Sequence, residues 1–83
     1  MKKIFIDVRE PGEFASGHVN GAINIPLSKF TDDALSEIPK DKEIILYCRS
    51  GGRANTAKGV LLNMGYLNVT NGINAANVTA TYA

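Results

Sequence analysis

Apolar and polar residues fall along this chain in short blocks, each the length of one strand or one modest helix. Ile4-Phe5-Ile6-Asp7-Val8 is an apolar run interrupted by one acid, and it predicts a strand with Asp7 and Arg9 at its carboxyl end. Glu10 to Phe14 predicts a short helical turn with Pro11 near its start. Ala22-Ile23-Asn24-Ile25-Pro26 predicts a second strand stopped by its proline. Ser28 is placed to cap a helix running through Ile38, with Leu27, Phe30, Ala34, Leu35 and Ile38 as its apolar set and Pro39 as its end. Lys40-Asp41-Lys42 reads as a solvated turn.

Ile44-Ile45-Leu46-Tyr47 is apolar at every position, the pattern of a parallel strand covered on both sides. Ala54 to Met64 is the clearest helix: Ala54, Ala57, Leu61 and Met64 recur at steps of three and four, with Val60 alongside and Gly65 as a stop. Asn68-Val69-Thr70 predicts a last strand. From about residue 73 the chain is weakly patterned and rich in Asn, Ala and Thr, so an irregular or frayed end is expected there. Strands alternating with helices imply an α/β fold, a small, mainly parallel sheet with helices on both faces. Ligands of such sheets bind beyond the carboxyl ends of the strands. Asp7, Arg9 and the residue after Tyr47, Cys48, therefore stand where one site can form.

Composition narrows the classes. The 83 residues are expected to form one domain, 1–83, with a core that must be economical at this size. Hydrophobic residues make up 45% and charged residues 20%, with a net charge of +1, which argues against nucleic acid or a membrane surface as partner. The apolar runs are far too short to span a bilayer. Met1-Lys2-Lys3 is followed by only three apolar residues before Asp7, so no leader is expected. One cysteine excludes an internal disulfide, and one cysteine with one histidine argues against a metal site.

That cysteine sits in Leu46-Tyr47-Cys48-Arg49-Ser50-Gly51-Gly52-Arg53-Ala54, between the apolar strand and the clearest helix. From Arg49 to Ala54 no residue is proline, so every amide can donate. Gly51 and Gly52 let the chain curl so that several amides point inward as an anion nest. The following helix adds its free N-terminal amides and dipole, and Arg49 and Arg53 add two permanent charges. All of these favour a thiolate, placing the Cys48 pKa below the ~8.5 of a free thiol. A populated thiolate beside an anion receptor suits nucleophilic attack on an anionic sulfur or oxyanion substrate. The plainer alternative is a buried strand-end thiol with solvated arginines, and the coincidence of glycine pair, arginines and strand–loop–helix placement argues against it.

Three separated segments carry a resemblance to a known family: Ile6-Asp7-Val8-Arg9-Glu10-Pro11-Gly12-Glu13-Phe14, then Gly17-His18-Val19-Asn20-Gly21-Ala22-Ile23-Asn24-Ile25-Pro26, then Tyr47-Cys48-Arg49-Ser50-Gly51-Gly52-Arg53. In this order they resemble the rhodanese family of sulfurtransferases, in the style of the small phage-shock-type members, as far as about Gly72. The resemblance implies a ping-pong thiosulfate sulfurtransferase. Cys48 would take sulfane sulfur from thiosulfate as a persulfide and pass it to cyanide or a thiol. The amides of Arg49, Ser50, Gly51, Gly52 and Arg53 would cradle the persulfide, and Arg49 and Arg53 would hold the donor's oxyanion end. Asp7 and Arg9 would support the loop, and His18 would be structural. No cofactor and no metal are implied. Partners would be a small anionic donor and a thiophilic acceptor, including a thiol-bearing protein; separately, a monomer is expected, with the oligomeric state left open by the residues.

Two rival functions stay open: a non-enzymatic persulfide carrier or binding module, and a cysteine phosphatase. Phosphatases of the similar fold place their arginine six positions after the nucleophile, where this chain has Ala54, and Arg53 comes one position earlier. An exposed thiol would favour a reducing compartment, so a cytoplasmic location is expected, with the periplasm the alternative if a leader was removed. The chain departs from the family after its last strand, with Asn71-Gly72-Ile73-Asn74 in place of the usual second glycine and tryptophan.

Overall fold

The computed structural model describes residues 3–83, so the expectation about a leader at Met1 and Lys2 falls outside the described residues. Four parallel strands form one sheet in the order β2-β1-β3-β4: β1 Lys3–Asp7, β2 Ile23–Asn24, β3 Glu43–Cys48 and β4 Val69–Asn74. Four α-helices connect and close them: α1 Pro11–Ala15, α2 Asp32–Leu35, α3 Gly52–Asn63 and α4 Ala75–Thr81. β3 lies between β1 and β4, which is why its five residues from Ile44 to Cys48 are all buried.

Strand side chains alternate between faces, so each strand feeds two layers. On one face Ile6, Val8, Ile44, Leu46 and Cys48 pack with Ala54, Ala57 and Leu61 of α3 and with Leu35 of α2. On the other, Ile45 and Tyr47 pack with Val19 and with Val78 of α4. Helices thus cover both faces, as the apolar pattern of β3 implies. α3 buries the stripe expected of it, with Met64 packed at its end. Burying such side chains stabilises by roughly 1.5–3 kcal/mol each for the larger ones.

Two expectations are corrected. Residues 28–38 do not form one helix: a 3₁₀ turn spans Leu27–Lys29, and α2 holds only four residues. Thr31, rather than Ser28, is the N-cap, accepting from the Ala34 amide at 3.3 Å, with Asp32 and Asp33 in the favoured first turn. The Tyr66 hydroxyl then donates to the carbonyls of Leu35 and Ile38 at 3.0 and 2.8 Å, satisfying groups that a longer helix would have used internally. The second correction concerns the stretch from 73 onward, which is ordered secondary structure. β4 runs to Asn74, Asn74 caps α4 by accepting from the Asn77 amide at 2.8 Å, and Asn77 donates back to the Gly72 carbonyl at 2.7 Å. A helix of Ala, Asn and Thr shows almost no amphipathic pattern, and its formation depends on docking Val78 against β3.

Candidate active site

Cys48 ends the central strand, and the six residues Cys48 to Arg53 turn directly into α3. Gly51 makes the turn possible. It is the N-cap of α3 at φ +96°, a left-handed conformation that costs a residue with a side chain. That conformation aims the Gly51 amide at Cys48 Sγ, 3.1 Å away. Burial pushes the Cys48 thiol up, but the amides of Ala54, Ser50, Gly51 and Arg53 together outweigh it, and the net shift is downward. Cys48 is nonetheless buried, the residue being 3% exposed, which corrects the expectation of an exposed thiol.

The two arginines of the loop differ. Arg49 is exposed, and among the described residues it makes no ion pair. Arg53 is tied across the loop: its Nη1 and Nη2 donate to Glu13 Oε1 and Oε2 at 2.8 and 3.1 Å. Glu13 is held in turn by its place in α1, where Oε1 also accepts from the Glu10 amide at 3.0 Å. The guanidinium of Arg53, followed by that amide, lowers the Glu13 carboxyl to about 2. Ser50 and Gly52 are exposed on the loop, Ser50 contributing its amide to the sulfur and Gly52 opening the helix.

Asp7 and Arg9 form a mutual pair beside this loop. Arg9 Nε and Nη2 donate to the fully buried Asp7 carboxylate at 2.6 to 3.0 Å, and Arg9 Nη2 also donates to the Gly17 carbonyl at 2.8 Å. The guanidinium lies 5.7 Å from the Tyr47 ring centre. Among the described residues neither side chain hydrogen-bonds to Cys48; the pair anchors the Gly17 segment and the end of β1. His18 is exposed: its ring stacks on Phe14 at 3.6 Å, and Nδ1 lies 2.8 Å from the Phe14 carbonyl.

Three neighbours of the loop escaped the sequence reading. Glu13 stood in a recognisable capping pattern, but its partner is forty residues away. Asn71 Nδ2 donates to the Gly51 carbonyl at 2.9 Å, and Asn71 Oδ1 accepts from the Ile73 amide at 2.9 Å, so β4 braces the nest from behind. Ile73 sits where the register between β3 and β4 shifts, at φ +76°, a strained conformation for a β-branched residue. A methyl group added to Gly51 would lie 3.7 Å from Ile73 Cγ2, which places that exposed side chain against the rim of the loop. Among the described residues no cluster of three or more His, Cys, Asp or Glu side chains is arranged to hold a metal ion, and no helix is long and apolar enough to cross a membrane.

The rhodanese-like domain family matches residues 1–76. A sulfurtransferase of Allochromatium vinosum is 39% identical over 68 residues, which make up 82% of this chain and 63% of that protein. Thiosulfate sulfurtransferase PspE of Escherichia coli (strain K12) is 40% identical over 68 residues, covering 81% of this chain and 65% of that protein. The chain therefore spans somewhat less than two thirds of the length of these curated relatives. A solved structure described as a rhodanese with anions from E. coli superposes with a TM-score of 0.82 at 35% identity, over 92% of this chain and 91% of that one.

Proposed function

The chain belongs to the rhodanese-like family, and on that premise we propose that it is a sulfurtransferase that carries sulfane sulfur as a persulfide on Cys48. In the first half-reaction the Cys48 thiolate attacks the outer sulfur of a donor such as thiosulfate. The new bond is Sγ–S, the sulfur–sulfur bond of the donor breaks, and sulfite leaves with the bonding pair. In the second, cyanide or a thiolate attacks the outer sulfur of the persulfide, and Cys48 leaves as thiolate. Neither half-reaction needs a general base once the thiol is ionised, which agrees with a stacked, structural His18.

The observation that carries this reading is the Gly51 amide 3.1 Å from Sγ within a six-residue loop. Amides that hold a thiolate also hold the terminal sulfur of a persulfide, because the charge moves outward by only one atom. A loop whose arginine comes five positions after the cysteine is one residue tighter than the phosphatase loop, which supports sulfur over a phosphoryl group as the atom carried. Arg49 is proposed to meet the donor's oxyanion end. Asp7 and Arg9 are proposed to support the site indirectly, through the Gly17 segment.

Cys48→Ser should abolish both thiocyanate formation from thiosulfate and cyanide and the 32-dalton mass gain on thiosulfate treatment, a difference of one sulfur atom (about 32 Da). Full turnover in that variant would overturn the proposal. A wild-type chain that gains one sulfur but turns over negligibly would instead be a persulfide carrier.

A further inference from the structure

The chain has three arginines, and two of them are already spent on carboxylates: Arg9 on Asp7 and Arg53 on Glu13. We infer that Glu13 is a specificity-determining residue, which by pairing with Arg53 cancels one of the two positive charges of the Cys48 loop and tunes the site to a singly charged sulfane donor. This rests on the sulfurtransferase proposal and deepens it. The donor class is the organic thiosulfonate, R–SO₂–S⁻, favoured relative to the dianion thiosulfate.

The geometry makes the cancellation firm. Each guanidinium terminal nitrogen donates to one carboxylate oxygen, the two-pronged arrangement that fixes an arginine most tightly. The Glu10 amide donates to the same carboxylate at 3.0 Å, a second contact that orients Glu13 toward Arg53. Glu13 stays ionised throughout the neutral range, its carboxyl lowered to about 2 by Arg53 and then by the Glu10 amide. What remains in the loop is the exposed Arg49, with no ion pair among the described residues, together with the amides that face Sγ. One unpaired cation beside an existing thiolate offers a second negative charge little compensation. The exposed Ile73 side chain at the rim of that loop offers an organic substituent an apolar contact. The transfer balances: Cys48–S⁻ and R–SO₂–S⁻ give Cys48–S–S⁻ and the sulfinate R–SO₂⁻, two negative charges on each side, the sulfinate taking the bonding pair.

The test measures KM for thiosulfate and for methanethiosulfonate at low ionic strength, with cyanide as acceptor, in the wild-type chain and in Glu13→Gln. Glutamine keeps an acceptor for the Glu10 amide but leaves Arg53 uncompensated. The thiosulfate KM should fall about three- to tenfold, the methanethiosulfonate KM less than about twofold, and added salt should erase the difference. The Cys48 alkylation midpoint should also move to lower pH in the variant, which a purely structural tether would not produce. An unchanged KM ratio between the two donors would overturn the inference. Should the variant fail to fold, wild type decides: a thiosulfate KM nearly flat in salt supports a cancelled charge, and a steep rise overturns it. Persulfide formation on Cys48 with an unchanged ratio sinks this inference alone. Absence of persulfide from both donors sinks the proposed function and the inference together.

Discussion

Cys48 is a thiol whose burial opposes ionisation and whose hydrogen-bond donors more than reverse that opposition. The reversal depends on backbone amides, which among substitutions only one to proline would remove. Glu13 gives the residue scale its pH signature. Its carboxyl is lowered from an ordinary 4.5 to about 2 by the Arg53 guanidinium first and the Glu10 amide second. A group depressed on folding binds more protons when unfolded, so it contributes stability above the unfolded value and loses it on acidification. The contribution is complete above about 4.5 and fades as pH falls through about 2. Glu13→Gln should therefore unfold below the wild-type temperature at neutral pH, and the gap should close near pH 2, as followed by circular dichroism. A gap unchanged at that pH would show that the ion pair contributes nothing.

At the scale of elements, the junction of β4 and α4 holds two neighbours with opposite demands. Gly72 is buried where a Cβ would come within 2.5 Å of Val78 Cγ2 and 3.0 Å of Ile45 Cγ2. Gly72→Ala should cost about 1–3 kcal/mol by forcing α4 off the sheet. Ile73, held at φ +76°, is the reverse case. Ile73→Gly should stabilise by about 1 kcal/mol, the relieved strain exceeding the added flexibility of the unfolded chain. Urea unfolding of both variants checks the pair of signs. Were Ile73→Gly destabilising by a similar amount, the strain at this position would be disproved. The same junction explains why a helix as weakly patterned as α4 forms at all. Its cap is local, from Asn74, but its stability comes from the closeness that Gly72 permits.

Across the whole molecule, the sheet separates two layers of unequal size, and the smaller depends on the last helix. Val19, Ile45, Tyr47 and Val78 form it, with Ala75 and Tyr82 packed alongside. Ending the chain after Asn74 should uncover Ile45 and Tyr47, the latter being where the Val19 amide donates to the hydroxyl at 3.0 Å. Loss of Val78 and its neighbours should cost about 2–5 kcal/mol and broaden the unfolding transition. An unaltered urea midpoint would show that the layer is dispensable. Much of this molecule was legible from its residues. Short apolar runs marked β1 and β3, and three-to-four periodicity marked α3, because burial acts directly on each side chain. The loop from Cys48 to Arg53 was legible because a positive φ demands glycine and a nest demands free amides, both local requirements. The break at Thr31, the order of α4 and the strain at Ile73 were not, since each is decided by what lies across the sheet or the turn. Sequence alone determined where Cys48 stands, at the end of a buried strand, and that glycines and arginines follow it. Only the tertiary structure decided that Arg53 faces Glu13 while Arg49 makes no ion pair among the described residues, because an ion pair joining residues forty positions apart leaves no periodic trace in the chain.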